Sequence, residues 1–284
     1  MHAWEAEVTI DEELVRELLV DQFPDLDASS ARPLAEGWDN AVWVVAGRWA
    51  FRFPRREVAI PGVVRELEVL PRLARLLPVP IPVPAFVGRP SGRYPWPWFG
   101  CSLLPGHEPA DADLTDDERV ELGTSLGRFL RVLHATATRT AVDLDGELPV
   151  DPNRRADMPA RVEIARGWLA ELERFGLWRP PAVVESLFEA ALELRPAEAE
   201  AVVHGDLHVR HVLVDDGALS GVIDWGDVCR ADPAVDLSLA WSLLPPAGRE
   251  AFVREYGPVG EEQALRAQVL AVSLCAALVV YGRH

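Results

Sequence analysis

A chain of 284 residues exceeds what one hydrophobic core usually serves, so either one large domain or two lobes is expected. Hydrophobic residues at 49% and charged residues at 26% exclude wholesale disorder. A formal net charge of −17, from 45 acidic and 28 basic residues, disfavours nucleic acid as a partner and suits a cationic or neutral small molecule.

Every basic residue is Arg, because the chain has no Lys. Cys101, Cys229 and Cys275 are odd in number and widely spaced, which suggests neither a disulfide framework nor a zinc site and makes a reducing cytoplasm the default compartment. The first 13 residues alternate acids with apolar residues and lack the basic start and apolar run of a signal peptide. The apolar stretch from Val269 to Tyr281 runs for only about 13 residues. A spanning helix needs roughly 20, so no membrane is expected and the stretch reads as a buried C-terminal helix.

Along the chain, Leu14, Val15, Leu18 and Leu19 form a helical stripe opened by Asp11 and Glu12. A β-hairpin follows, Ala41 to Val45 and Trp49 to Phe53, joined by Ala46-Gly47-Arg48 and preceded by a turn containing Gly37. The period of two places Trp49, Phe51 and Phe53 on one face and Arg52 on the other, where it can meet a cleft. A helix marked by Val63, Val64, Leu67, Leu70, Leu73 and Leu77 is expected to stop at the four prolines between Pro78 and Pro84. A strand over Phe99 to Leu103 precedes Pro105-Gly106, and that step with the acidic stretch Glu108 to Glu121 marks the boundary to a helical second lobe. The domains are therefore 1–103 and 104–284. Helices are expected over Leu122 to His134, Arg161 to Phe175, Ala182 to Leu194 and beyond Asp236.

The chemistry concentrates between Val202 and Leu237, VVHGDLHVRHVLVDDGALSGVIDWGDVCRADPAVDL. Asp215-Asp216-Gly217 is a hairpin signal between apolar strands, and that hairpin folds Asp224 back toward the loop holding Asp206, His204, His208 and His211. Converging carboxylates suit phosphoryl transfer, which needs a proton acceptor for the attacking hydroxyl and ligands for the cation that neutralises the phosphates. The competing interpretation is that these acids cap turns and the histidines satisfy loop backbone groups.

HGDLH, IDWGD and DPAVDL together resemble the catalytic core of the aminoglycoside phosphotransferase and choline kinase group, and Leu126 to His134 is similar to the helix preceding that core. The resemblance implies an α+β, two-lobed protein-kinase-like fold with a β-rich first lobe and a mainly helical second. It implies Asp206 as catalytic base, Asp224 as a metal ligand, His204 as a brace of the loop, and Asp236 as a carboxylate holding the loop backbone from beneath. In the first lobe it implies that Arg52, held by Glu66, grips the nucleotide phosphates, with Arg in place of the usual Lys. Glu36 to Asn40 would cover those phosphates, and Ser102 and Leu104 would offer backbone groups to the nucleobase. The resemblance also implies Mg²⁺ or Mn²⁺ as cofactor, with ATP or GTP as co-substrate.

At the position where the family usually has Asn, this chain has His211, as macrolide phosphotransferases do. The resulting expectation is a kinase for a hydroxylated antibiotic, either aminoglycoside or macrolide. A nucleotide-binding pseudokinase and a choline- or homoserine-kinase-like metabolic enzyme are the alternatives. The acids Asp111, Asp113, Asp116, Asp117, Glu118 and Glu121 are candidates to attract a polyamine or to form a solvated face. Trp168, Trp178 and Trp241 are candidates to line an apolar pocket or to belong to the core.

Overall fold

The computed structural model describes residues 6–37 and 39–282. The described chain divides into two compact units, one taking the chain to Arg75 with Pro80–Pro105, the other taking Leu76–Val79 and the chain from Gly106 onward.

In the first unit, helix α1 (Glu12–Gln22) is opened by Asp11, whose carboxylate accepts the Leu14 N–H at 2.9 Å, and it buries Leu14, Val15, Leu18 and Leu19. Strands β1 (Arg32–Glu36), β2 (Asn40–Val45) and β3 (Trp49–Pro54), helix α2 (Ile60–Leu73), and strands β4 (Pro84–Gly88) and β5 (Trp98–Ser102) follow. The strands form one antiparallel sheet in the order β1-β2-β3-β5-β4. Alternation splits its side chains: Phe51, Phe53 and Trp98 join the core under α1, whereas Ala50, Phe99 and Cys101 pack with Val63 and Leu67 of α2. Helix α2 stops at Leu73, before the expected proline run, and Leu77 lies beyond it. Pro71, inside its last turn, donates no N–H to the helix, and the Ala74 N–H closes the end on the Leu70 carbonyl at 3.0 Å.

The second unit is mainly helical. Helices α3 (Asp116–Leu133), α4 (Thr136–Val142), α5 (Met158–Arg174) and α6 (Ala182–Leu192) precede strands β6 (Ala201–Val203), β7 (Val212–Asp215), β8 (Ala218–Val222) and β9 (Cys229–Ala231). Helices α7 (Ala234–Leu243), α8 (Pro246–Tyr256) and α9 (Glu261–Tyr281) complete it. Several of the acids that follow Pro105-Gly106 open α3: Thr115 and Glu118 exchange capping hydrogen bonds, and Asp116 and Asp117 share that first turn. Helices α3 and α8 approach closely because Gly123 and Gly127 carry no Cβ; one on Gly123 would lie 2.2 Å from the Gly248 carbonyl oxygen.

The C-terminal helix is longer than its apolar stretch suggests, because Glu261 to Gln268 extend it on the N-terminal side. Its 21 residues make it the one described helix long and apolar enough to cross a bilayer. Here it packs against α5 and α7 and buries Val269, Leu270, Ala276 and Val280 in the second unit's core. Trp168 packs on that core with its ring 5.1 Å from Tyr281, whereas Trp178 is exposed.

Candidate active site

In the first unit the alternation of β3 turns Arg52 toward α2, where its Nη1 lies 3.1 Å from Oε1 of the fully buried Glu66. Burial of a carboxylate is tolerated where a guanidinium stands against it. The same surroundings, burial first and Glu66 second, push the Cys101 thiol up to about 12. Ser102 ends β5 with its side chain exposed, and the next residue ties that end to β3 through the Leu103 N–H on the Arg48 carbonyl at 2.8 Å, just before Leu104. The turn from Glu36 to Asn40 includes Trp38, which lies outside the described residues. Of its flanks, Gly37 donates its N–H to Asn40 at 2.9 Å, and Arg55 holds the Gly37 carbonyl and the Glu36 carboxylate, each at 2.8 Å.

The second unit's site is built on two short ladders. Strand β6 pairs antiparallel with β9, setting Val203 opposite Cys229, and the chain leaves β6 directly into His204-Gly205-Asp206. The hairpin β7–β8 turns at Asp216 and Gly217, both with positive φ (47° and 75°), as a tight two-residue turn requires. Beyond β8, Ile223 donates its N–H to the His211 carbonyl at 2.9 Å and accepts the His204 Nε2–H at 2.9 Å. Asp224 then takes a left-handed conformation (φ 62°), one that Asp tolerates better than most residues, and turns the chain back toward His211.

His204 is fully buried, and burial holds its pKa down to about 4, so it is neutral. Its Nδ1 accepts the Asp206 N–H at 3.2 Å, which assigns the ring proton to Nε2. Beneath the loop, the buried carboxylate of Asp236 accepts the N–H of His204 at 2.7 Å and of Gly205 at 3.1 Å. His134 at the end of α3 meets the same carboxylate at 3.1 Å and continues to the Tyr256 hydroxyl at 3.0 Å. Burial alone would raise the Asp236 pKa; the hydrogen bond and charge contact from His134 and the loop N–H outweigh it and hold the carboxyl below its usual range. Gly205 has φ 88°, and a Cβ there would stand 2.2 Å from the Asp227 carbonyl oxygen, so only glycine fits.

Asp206 Oδ2 faces two imidazoles, 3.8 Å from His208 Nε2 and 3.9 Å from His211 Nδ1. His211 Nδ1 lies 2.8 Å from the Asp206 carbonyl oxygen, which only a ring N–H can satisfy, and its other nitrogen, Nε2, lies 3.5 Å from Asp224 Oδ2. His208, held neutral by burial at about 3, uses its Nδ1 lone pair to accept the Arg210 N–H at 3.3 Å, leaving its proton on Nε2. Among the described residues, Asp206, His208 and His211 bring their ligand atoms within 4.8 Å of one another; His208 Nδ1 is engaged by the Arg210 N–H, whereas His211 Nε2 is turned to Asp224.

Arg155 carries no motif signal in the sequence. Its Nη2 stands 2.9 Å from Asp206 Oδ1 and donates to Asp227 Oδ2 at 2.8 Å. Burial raises the Asp206 pKa, and Arg155 followed by His211 oppose that rise without cancelling it. Neither Arg155 nor His134 stands in a motif next to the base; Asp227 does, within IDWGD, and it shares the Arg155 guanidinium with Asp206.

A family model described as phosphotransferase enzyme family matches residues 30–267. An aminoglycoside 3'-phosphotransferase of Escherichia coli is 30% identical over 144 residues, 49% of this chain and 50% of that protein. Viomycin phosphotransferase of Streptomyces vinaceus is 32% identical over 193 residues, 66% of this chain and 64% of that protein. The matched segments thus span half to just under two thirds of those relatives. The GDP complex of a wild-type aminoglycoside 2'-phosphotransferase-IIIa superposes with a TM-score of 0.73 at 22% identity, over 96% of this chain and 92% of that one, a likeness of fold.

Proposed function

The chain belongs to the phosphotransferase enzyme family, and from that membership we propose that it is a nucleotide-dependent kinase carrying the γ-phosphate of ATP or GTP to a hydroxyl of a small molecule, an antibiotic of the aminoglycoside or macrolide class. The observation that carries this reading is the convergence of two carboxylates on one imidazole, Asp206 at 3.9 Å and Asp224 at 3.5 Å from the ring nitrogens of His211.

Asp206 is the base in this reading. Its Oδ2 orients the acceptor hydroxyl and takes its proton as the oxygen bonds to the γ-phosphorus; the bond to the β–γ bridging oxygen breaks, and a nucleoside diphosphate leaves. His211 Nε2 and Asp224 Oδ2 form a nitrogen and oxygen donor pair that fits a divalent cation, Mg²⁺ or Mn²⁺, which neutralises phosphate charge when bound. Arg52, steadied by Glu66, grips phosphate oxygens, while the backbone at Ser102 and Leu104 meets the nucleobase. His204 and Asp236 hold the loop that presents Asp206.

Macrolides gain weight from His211, the residue shared with macrolide phosphotransferases at this position. Aminoglycosides gain weight from the net charge of −17, which attracts polycations. Incubation with ATP or GTP and a panel of hydroxylated antibiotics and metabolites, read by product mass, tests the proposal: one acceptor should gain a single phosphoryl group. A panel without any phosphorylated product, alongside measurable nucleotide binding, would favour the pseudokinase alternative.

A further inference from the structure

The geometry points to Arg155 as the positioning residue of the base: it holds Asp206 through Oδ1, leaves Oδ2 toward the reacting hydroxyl, and supplies a cation that the catalytic loop itself does not bring there. This inference rests on Asp206 being the base; the clamp itself rests on the side-chain geometry alone.

Three observations carry it. The guanidinium meets two carboxylates through one nitrogen, Asp206 at 2.9 Å and Asp227 at 2.8 Å, so it fixes the base against a second acid that would otherwise repel it. The loop's own cation, Arg210, is turned away: its side chain is 64% exposed and lies 3.5 Å from Glu108. Lastly, Arg155 is delivered by a segment built to hold it. Asp151, with φ 36°, accepts the Arg155 N–H at 2.7 Å and the Ala156 N–H at 2.8 Å, and its own N–H is tied to the Arg230 carbonyl on β9 at 2.9 Å.

The Arg155 side chain is 21% exposed and its partners Asp206 and Asp227 are 34% and 33% exposed, so the clamp lies at the open edge of the site. Arg155 Nη1 is buried without a hydrogen-bond partner among the described residues, so the charged end is anchored through Nη2. Without Arg155, Asp206 keeps its place in the chain but loses the contact that selects which oxygen faces the acceptor. The defect should therefore fall on the transfer step.

The test compares the parent with Arg155→Ala and Arg155→Lys in the full-length protein, reading kcat, nucleotide KM and thermal midpoint, with guanidinium ion added well below concentrations that unfold the protein. Arg155→Ala should lose about 10²-fold in kcat, the size of effect that a small misplacement of a reacting group produces, with nucleotide KM little changed. Guanidinium should restore part of that loss, and Arg155→Lys should retain part of the parent rate as a point charge in place of a fork. A turnover-independent arm measures thermal midpoints of Arg155→Ala, Asp206→Asn and the double variant, where the clamp predicts non-additive shifts.

Turnover by Arg155→Ala within a few-fold of the parent would overturn the inference, as would a loss that neither guanidinium nor Lys relieves together with additive midpoints. If the parent transfers no phosphate to any acceptor, the proposed function fails, and the midpoint cycle still decides whether Arg155 clamps Asp206.

Discussion

The N–H of His204 lies 2.7 Å from the carboxylate of Asp236, a helix residue 32 positions later in the chain, and this contact fixes the loop from which Asp206 projects. Because the Gly205 N–H and His134 share the same buried carboxylate, removing it orphans several polar groups at once. Asp236→Ala should cost about 1–3 kcal/mol for each buried donor left unpaired, and turnover should fall with stability. Denaturant unfolding compared with the rate of nucleoside diphosphate release checks this; a variant as stable as the parent would refute the anchoring role.

Gly205→Ala separates loop geometry from charge. It keeps every ionisable group but places a methyl 2.2 Å from the Asp227 carbonyl in a backbone conformation with φ 88°. Strain of order 1–3 kcal/mol is expected, with a marked loss of turnover because Asp206 is the next residue. Wild-type unfolding and wild-type rate together would show that the loop has room the geometry denies it.

Acid should destabilise the second unit through His204. In the unfolded chain this imidazole takes a proton near its ordinary value of about 6.5, whereas in the fold burial holds it down to about 4. Between those values the unfolded state binds more protons, so stability is fully present above the unfolded value and is lost as pH falls toward the folded one. A difference of this size is worth roughly 3 kcal/mol. Urea unfolding across this range should show stability declining as pH drops; a flat profile down to pH of about 5 would contradict the neutral, buried assignment.

His211 sets the choice of metal. His211→Ala removes the Nε2 that faces Asp224 and should lower metal-dependent turnover by at least the 10–100-fold, roughly, that disturbing even an outer-shell partner costs. His211→Asn supplies an amide oxygen and should keep transfer while shifting preference from Mn²⁺ toward Mg²⁺. Turnover measured with each metal decides, and a parent that is inactive with every metal while His211→Asn transfers phosphate would mean a lapsed kinase.

How much of this the residues disclosed follows from the distance over which each feature acts. The hairpin at Asp216-Gly217, the alternation that sends Arg52 away from Phe51 and Phe53, and the spacing that brings Asp224 to the loop are local, set by turn chemistry and strand period. Arg155 and His134 reach the site only through packing: the first lies in an irregular segment before α5, the second ends a helix whose buried stripe accounts for its pattern without it. The full length of α9 is not legible in its apolar run because Glu261, Glu262 and Arg266 interrupt it, although Arg266 is itself buried against Asp232 at 3.6 Å.

The account's central claim is tested most directly by Asp206→Asn, with nucleotide binding measured by calorimetry and nucleoside diphosphate release measured with an active acceptor. Removing the proton acceptor while leaving His211 and Asp224 in place should lower release about 10²–10⁴-fold, the usual contribution of a general base, with nucleotide affinity close to the parent's. Release within a few-fold of the parent would contradict the assignment of Asp206 as the base.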